Sequence, residues 1–393
     1  MATNDRFRLI PIGDVIQSKH RSTGDRTVNT STIKTDILIV GAGFAGASTA
    51  CHLSHRFGGS ILVVDKEELP GFHASGRNAS LVLQCTLPLE TRRLTVESRR
   101  HYEVHREEIG FRQCGSILMG SKEQLARLCH PAPPQSEFLE PSRARARVPA
   151  LQGHQFEAAL WTPSDGTMDI ARLLQFYLQG ARSRGVDVRL DCRILEMSRQ
   201  SPFQVTTSRG RIEAKFIVNA AGAWASEISQ LAGASSLPLF PLKRHLFVLD
   251  EIGSADERSP FVWNLEKNFY FRPESGGLLF SVCDEERCQS LEPTINDETS
   301  EQLAEVIWSQ LPALREAVQR RVWSCFRTRT PDDQFVIGWD PVVENYLWVA
   351  GLGGHGMGAS WRVGEVAALL LLGDSPEDSH PFRPARFASS QQR

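Results

Sequence analysis

The residues best suited to do chemistry begin at Gly41-Ala42-Gly43-Phe44-Ala45-Gly46, with Asp65 nineteen positions beyond the last glycine. The spacing has a steric and electrostatic reason. The first glycine permits a tight turn, the second lets a pyrophosphate approach backbone N–H groups, and the third lets a helix pack close on a strand. A carboxylate at Asp65 accepts hydrogen bonds from both hydroxyls of an adenosine ribose. The elements that must position these groups are also present. Asp36-Ile37-Leu38-Ile39-Val40 reads as a buried parallel strand starting from Thr35. A small-residue helix carrying Ala47, Ala50 and Leu53 runs to about Arg56, and Ile61-Leu62-Val63-Val64 leads into Asp65. Together they make a βαβ unit that binds a dinucleotide, whereas a glycine-rich surface turn leaves the acid unexplained.

An acid at that place suits NAD and FAD equally, and three later features choose between them. Leu69-Pro70-Gly71-Phe72-His73-Ala74-Ser75-Gly76-Arg77-Asn78-Ala79-Ser80 follows the second strand, where an NAD domain would begin another helix. Val218-Asn219-Ala220-Ala221-Gly222-Ala223-Trp224 ends a strand in small residues, and Gly351-Leu352-Gly353-Gly354-His355-Gly356-Met357-Gly358 opens the final helix. The single GxGxxG disfavours disulfide reductases, which need a second such site.

Composition bounds the rest. The chain has 393 residues, 41% of them hydrophobic, enough for two or three folded units. Its 44 basic and 46 acidic side chains leave a net charge of −2, which excludes nucleic acid as the main partner. Eight cysteines are scattered without a CxxC pair, which reads as reduced and cytoplasmic and removes zinc ribbons and dithiol centres. No metal is expected. The longest apolar run, Val366 to Leu372, is too short for a membrane span, and residues 1–34 read as a flexible extension without a signal peptide. Pro88 to Ile109 reads as a solvated helix burying Leu89, Leu94, Tyr102 and Val104, and residues 131–149 as a proline- and arginine-rich surface connection. Asp169 to Arg184 is amphipathic and helical, Leu239 to Ser281 switches to short antiparallel strands, and residues 298–320 read as helices.

At these motifs the sequence resembles the D-amino-acid oxidase and sarcosine oxidase family of FAD enzymes, over about residues 35–386. The Arg327-Thr328-Arg329-Thr330-Pro331-Asp332 segment and Pro381-Phe382-Arg383-Pro384 add to the match, which is strongest with D-arginine-dehydrogenase-like members. The resemblance implies an α/β fold: a Rossmann-like FAD domain of the glutathione-reductase kind, and a substrate domain with a mixed, largely antiparallel sheet. The FAD domain is expected over 35–110, 160–235 and 325–386, the substrate domain over 111–159 and 236–324, and a tail over 387–393. FAD is then held by Gly41, Ala42, Gly43, Phe44, Ala45 and Gly46, by Asp65 and Lys66, and by His73, Ser75, Gly76, Arg77, Asn78 and Ala79. Ile194, Ala220, Ala221, Gly222 and Trp224 are expected to join them, with Gly353, Gly354, His355, Gly356, Met357 and Gly358 bringing helix N–H groups to the flavin.

The expected reaction oxidises the C–N bond of a D-amino acid to an imine, which water hydrolyses to a 2-oxo acid and ammonia, with oxygen, a quinone or another carrier taking the electrons. Secondary amines such as sarcosine or a cyclic imino acid are the alternative; a 2-hydroxy acid and a non-catalytic binding role remain open. The family's carboxylate-binding arginine corresponds to Arg327, although Arg329 shares its strand face. Tyr270 either hydrogen-bonds the carboxylate or only packs. Arg244 is a substrate-strand cation or a surface arginine, and His73 meets flavin or substrate or caps backbone. Cys325 stands where sarcosine oxidases attach flavin covalently, so it is either that link or a buried free thiol.

Overall fold

β-Branched runs with no polar interruption form parallel strands covered on both faces, and the glycine loop lies at the end of one. The computed structural model describes residues 32–86, 88–131, 133, 135–250, 256–288, 291–374 and 381–392. The expected extension lies outside these residues except at its end, where Ile33 and Lys34 already pair in the first strand, Ile33–Val40. That strand is parallel to Ile61–Val64 on one side and to Gly210–Asn219 on the other. Tyr346–Ala350 also runs parallel to Gly210–Asn219, and four further strands complete an eight-stranded sheet. The helices Phe44–Ser54 and Ser360–Leu371 pack on it, and Ile39, Val63, Val218 and Val349 are fully buried between.

A second, nine-stranded sheet runs through Phe240–Leu249, Gly277–Ser281, Phe269–Glu274 and Phe261–Asn264, then Ser116–Gly120, Ala158–Thr162 and Glu137–Leu139. Stacked Phe269, Phe271 and Phe280 fill its core under the helix Glu298–Gln310. Residues 298–320 are therefore only partly helical, because the strand Gln319–Arg329 has begun. This strand pairs along the whole of Phe240–Leu249, so the expected break between 324 and 325 falls inside it. The break between 159 and 160 likewise falls inside Ala158–Thr162.

Four further expectations need correction. In the Leu89–Val104 helix the buried row is Thr91, Leu94, Thr95, Ser98 and Tyr102; Leu89 and Val104 lie off that stripe, 55% and 77% exposed. Residues 131–149 include the helix Pro141–Arg147, and their arginines are spent internally: Arg143 and Arg147 on Glu137, Arg145 on the His154 carbonyl. Phe387, assigned to a tail, packs against the core on the other face of the first sheet, that of Leu38, Leu62 and Ile217, within the 3-10 turns Pro384–Gln392. Cys85 and Cys129 are not free thiols but form a disulfide, their Cα atoms 5.2 Å apart, because the fold brings these distant residues together. Among the described residues no helix is long and apolar enough to cross a membrane.

Asp165 joins the parts that wall the site. Its fully buried carboxylate accepts from Ser116 Oγ at 2.7 Å, Gln84 Nε2 at 2.8 Å and the Gln84 N–H at 3.1 Å. Burial pushes its pKa up to about 6 despite these donors. A carboxyl raised in the folded state stabilises fully below its unfolded pKa and loses that contribution as pH rises through the folded value, here about 3 kcal/mol in all. Relative to Asp165→Asn, which keeps acceptor and shape, the wild type should lose about 2 kcal/mol between about pH 4.5 and 7.5 in denaturant titrations. Equal pH slopes would contradict the assignment.

Candidate active site

Val40 lies opposite both Val64 and Asn219, and Asn219 opposite Trp348. The loops leaving these strands therefore converge on one line, where open α/β sheets bind ligands. From it a cavity of about 300 Å³ runs to the face of the nine-stranded sheet.

Its nucleotide end depends on the glycine turn. A Cβ at Gly46 would lie 1.9 Å from the Gly41 carbonyl oxygen, so no side chain fits there. Asp65 accepts from the Ala42 N–H at 2.7 Å and from the Glu67 N–H at 3.0 Å. Burial raises its pKa, and these two donors oppose the rise. The Phe44 N–H donates to Ser75 Oγ at 3.0 Å, tying the first helix to the loop that follows the second strand. Next to them stands Glu67, which no motif marks. Its Oε1 is 2.8 Å from His73 Nε2 and 3.5 Å from Lys66 Nζ, and Lys66 Nζ sits 3.4 Å above the Trp224 ring. Burial lowers the pKa of both Lys66 and His73, against the pull of Glu67. The ring neighbours of His73 are Trp224 and Phe72, and among the described residues no contact joins it to Arg327 or Tyr270.

Of the residues expected around a cofactor, Gly41, Gly43, Phe44, Ala45, Asp65, Lys66, His73, Ser75, Asn78, Ala79, Ile194, Ala220, Ala221, Gly222 and Trp224 line the cavity, as do Gly353, Gly354, His355, Gly356 and Met357. Ala42, Gly46, Gly76, Arg77 and Gly358 do not. Ala42 is buried with its N–H spent on Asp65, Gly76 backs onto the Gly71 carbonyl, and the Arg77 guanidinium lies 4.7 Å over Phe72. Gly358 precedes a helix that starts two residues later than expected, at Ser360. Gly356 and Met357 thus belong to turns before the helix, and Tyr102 Oη donates to the Met357 carbonyl at 2.8 Å. A glycine turn no side chain could occupy, a buried acid at its edge and backbone loops on both sides make a cradle that fits the dinucleotide FAD.

The other end is built by the nine-stranded sheet. Leu242 pairs with Arg327 and Arg244 with Cys325, which places Arg244, Cys325 and Arg327 on one face. Arg327 Nη2 donates to Tyr270 Oη at 3.1 Å, and no carboxylate pairs with Arg327 among the described residues. Arg329 is committed elsewhere, at 2.7 Å to Asp333 and 2.9 Å to Glu285, and does not line the cavity. Arg244 lines it but is not the surface arginine allowed by its sequence. Only 2% exposed, it donates to the Asp284 carbonyl at 2.6 Å and Glu285 at 2.7 Å. Burial pushes the Tyr270 hydroxyl and the Cys325 thiol up, with Arg327 and Arg244 opposing both. Gly354, at φ +95°, lets the last loop lie on the anchor: a Cβ there would stand 3.1 Å from Arg327 Nε. Leu81, Leu83, Leu246 and Trp263 close this end, and Trp263 lies 5.2 Å from the Tyr270 ring. Sequence reasoning missed them because an apolar residue in a strand carries no mark of the cavity it faces.

The site is therefore a nucleotide cradle continuous with a largely apolar chamber holding Arg327, which has no carboxylate partner among the described residues, next to a phenol. Comparison with known proteins shows the family. Mitochondrial dimethylglycine dehydrogenase of Rattus norvegicus is 27% identical over 391 residues, covering 90% of this chain and 45% of that protein, so the chain spans about half its length. Peroxisomal sarcosine oxidase of Homo sapiens is 26% identical over 383 residues, covering 90% of this chain and 96% of the relative. The crystal structure of L-proline dehydrogenase from P. horikoshii superposes with a TM-score of 0.83 at 23% identity, over 92% of this chain and all of that one, a likeness of fold. The family described as DAO, FAD dependent oxidoreductase, matches residues 36–370, and the protein belongs to it.

Proposed function

We propose that the protein oxidises the C–N bond of an N-alkylated α-amino acid. The observation that carries this reading is Arg327, a guanidinium without a carboxylate partner among the described residues, hydrogen-bonded to Tyr270 and lining the chamber that continues the FAD cradle. A guanidinium fork matches a carboxylate, and in a chamber walled by leucine and tryptophan that pairing is little screened by water. Arg327 holds the carboxylate, Tyr270 adds a donor, and Trp263 and Leu246 exclude water from the carbon that reacts. Bound FAD supplies the hydride acceptor. The resulting imine is hydrolysed to a carbonyl compound and a smaller amine, and oxygen or another carrier takes the electrons.

The choice of an N-alkylated substrate over the primary D-amino acid expected from the motifs is supported by the names of two relatives, a dimethylglycine dehydrogenase and a sarcosine oxidase. Asp65 holds the ribose, while Lys66, His73 and Trp224 line the nucleotide end. We further propose that FAD is held without a bond to Cys325, whose buried thiol stays protonated.

Arg327→Met should raise KM about 100-fold or more, since two charge-assisted hydrogen bonds are lost, with flavin content unchanged. An unchanged KM rejects Arg327 as the anchor. Asp65→Ala should weaken FAD binding in equilibrium dialysis; full retention would show that Asp65 serves only the turn. Cys325→Ser should keep its flavin through purification, and loss of flavin in that variant would restore the covalent alternative.

A further inference from the structure

We infer that His355, clamped by Thr86, takes the proton that the substrate's amino group must give up before its C–H bond breaks. The inference rests on the amine-oxidation reading and adds a proton acceptor that no motif supplied. His355 lines the cavity with Arg327 and Tyr270 and follows directly on Gly354, whose backbone lies against the Arg327 guanidinium. Its Nε2 is 3.0 Å from Thr86 Oγ1, and its Nδ1 has no hydrogen-bond partner among the described residues.

Thr86 reaches His355 from the segment that follows the cavity-lining Leu83 and is itself fixed. Arg92 Nε donates to its carbonyl at 3.0 Å, and Gln84, two residues earlier, is fastened to Asp165. The imidazole is therefore anchored at one nitrogen and open at the other, the arrangement of a base oriented by a partner.

The charged groups facing His355 are Arg327 and Arg329 from the Gln319–Arg329 strand and Asp333 just beyond it; Thr86, on the other side, is uncharged. Burial first, then Arg327 and Arg329, hold the imidazole down at about 4, with Asp333 opposing. Without substrate the ring is neutral. A carboxylate docked on Arg327 cancels that repulsion and adds a negative charge of its own, and both effects raise proton affinity. His355 thus becomes a stronger base only when a carboxylate is in place. The step balances: an N–H bond of the ammonium breaks, its electron pair stays on nitrogen as the lone pair that assists hydride departure, and the proton forms imidazolium on Nδ1.

The test is anaerobic rapid mixing of the flavin-loaded enzyme with sarcosine, dimethylglycine or a D-amino acid between about pH 6 and 10, following flavin reduction. His355→Asn should lower kcat/KM about 100-fold near pH 7, with the deficit shrinking as pH nears the amine's own pKa. Thr86→Val should show part of the same pH-dependent loss, and Thr86→Ser should restore the wild-type profile. A deficit constant with pH, or none, overturns the inference while leaving amine oxidation standing. A wild-type flavin that no amine reduces sinks the reading beneath it as well. Without turnover, ¹⁵N-histidine NMR should show one imidazole, absent in His355→Asn, whose titration moves up when acetate is added. An unmoved titration contradicts the coupling to Arg327.

Discussion

The structure depends on one register: Val40, Val64 and Asn219 end their parallel strands level. A shift of one residue in either pairing would turn alternate side chains to the wrong face and stagger the loops that now meet. Because the ends are level, the glycine turn, the acid of Asp65 and the Ala220–Trp224 segment share one cleft. The substrate sheet is tied to that cleft through the chain itself. The strand carrying Arg327 runs on through Thr330 to Val336–Trp339 of the first sheet, and the Gly353 N–H donates to the Thr328 carbonyl at 2.9 Å. The carboxylate anchor and the cofactor loop are thereby held at a fixed separation.

Electrostatics then single out the anchor. A buried cation without a counter-ion is costly, and three other arginines of these strands and loops have one: Arg244 meets Glu285, Arg329 meets Glu285 and Asp333, and Arg386 meets Asp332. Arg327, half-buried, has no carboxylate partner among the described residues and donates to a phenol. A site that holds a guanidinium without a carboxylate among the described residues, between apolar walls, is arranged for an incoming anion, and that anion also completes the charge balance around the neutral His355.

Much of the cradle was legible because it is set by local sterics. Gly41 to Gly46, Asp65 and the two later glycine and alanine loops are short segments whose spacing reports backbone that must come close to a ligand or to itself. The rest depends on long-range pairing. Thr86 meets His355 across 269 residues, and Cys85 meets Cys129 across 44. Neither is visible to a motif, and the disulfide overturned an expectation drawn from scattered spacing alone. Arg327 and Arg329 were indistinguishable by alternation, since both face the same way; only the positions of Glu285 and Asp333 separate them. The late start of the last helix escaped for a related reason, because glycine-rich turns and a first helical turn look alike in composition.

The most direct test of the account is the visible spectrum of the purified, FAD-loaded protein under anaerobic conditions, before and after addition of sarcosine or dimethylglycine, with primary D-amino acids as separate additions. The account predicts that the flavin band is lost with the N-alkylated amino acid and is unchanged in the Arg327→Met variant at the same concentration. A flavin reduced only by a primary D-amino acid would move the substrate class, and a flavin reduced by none of them would contradict amine oxidation at this site.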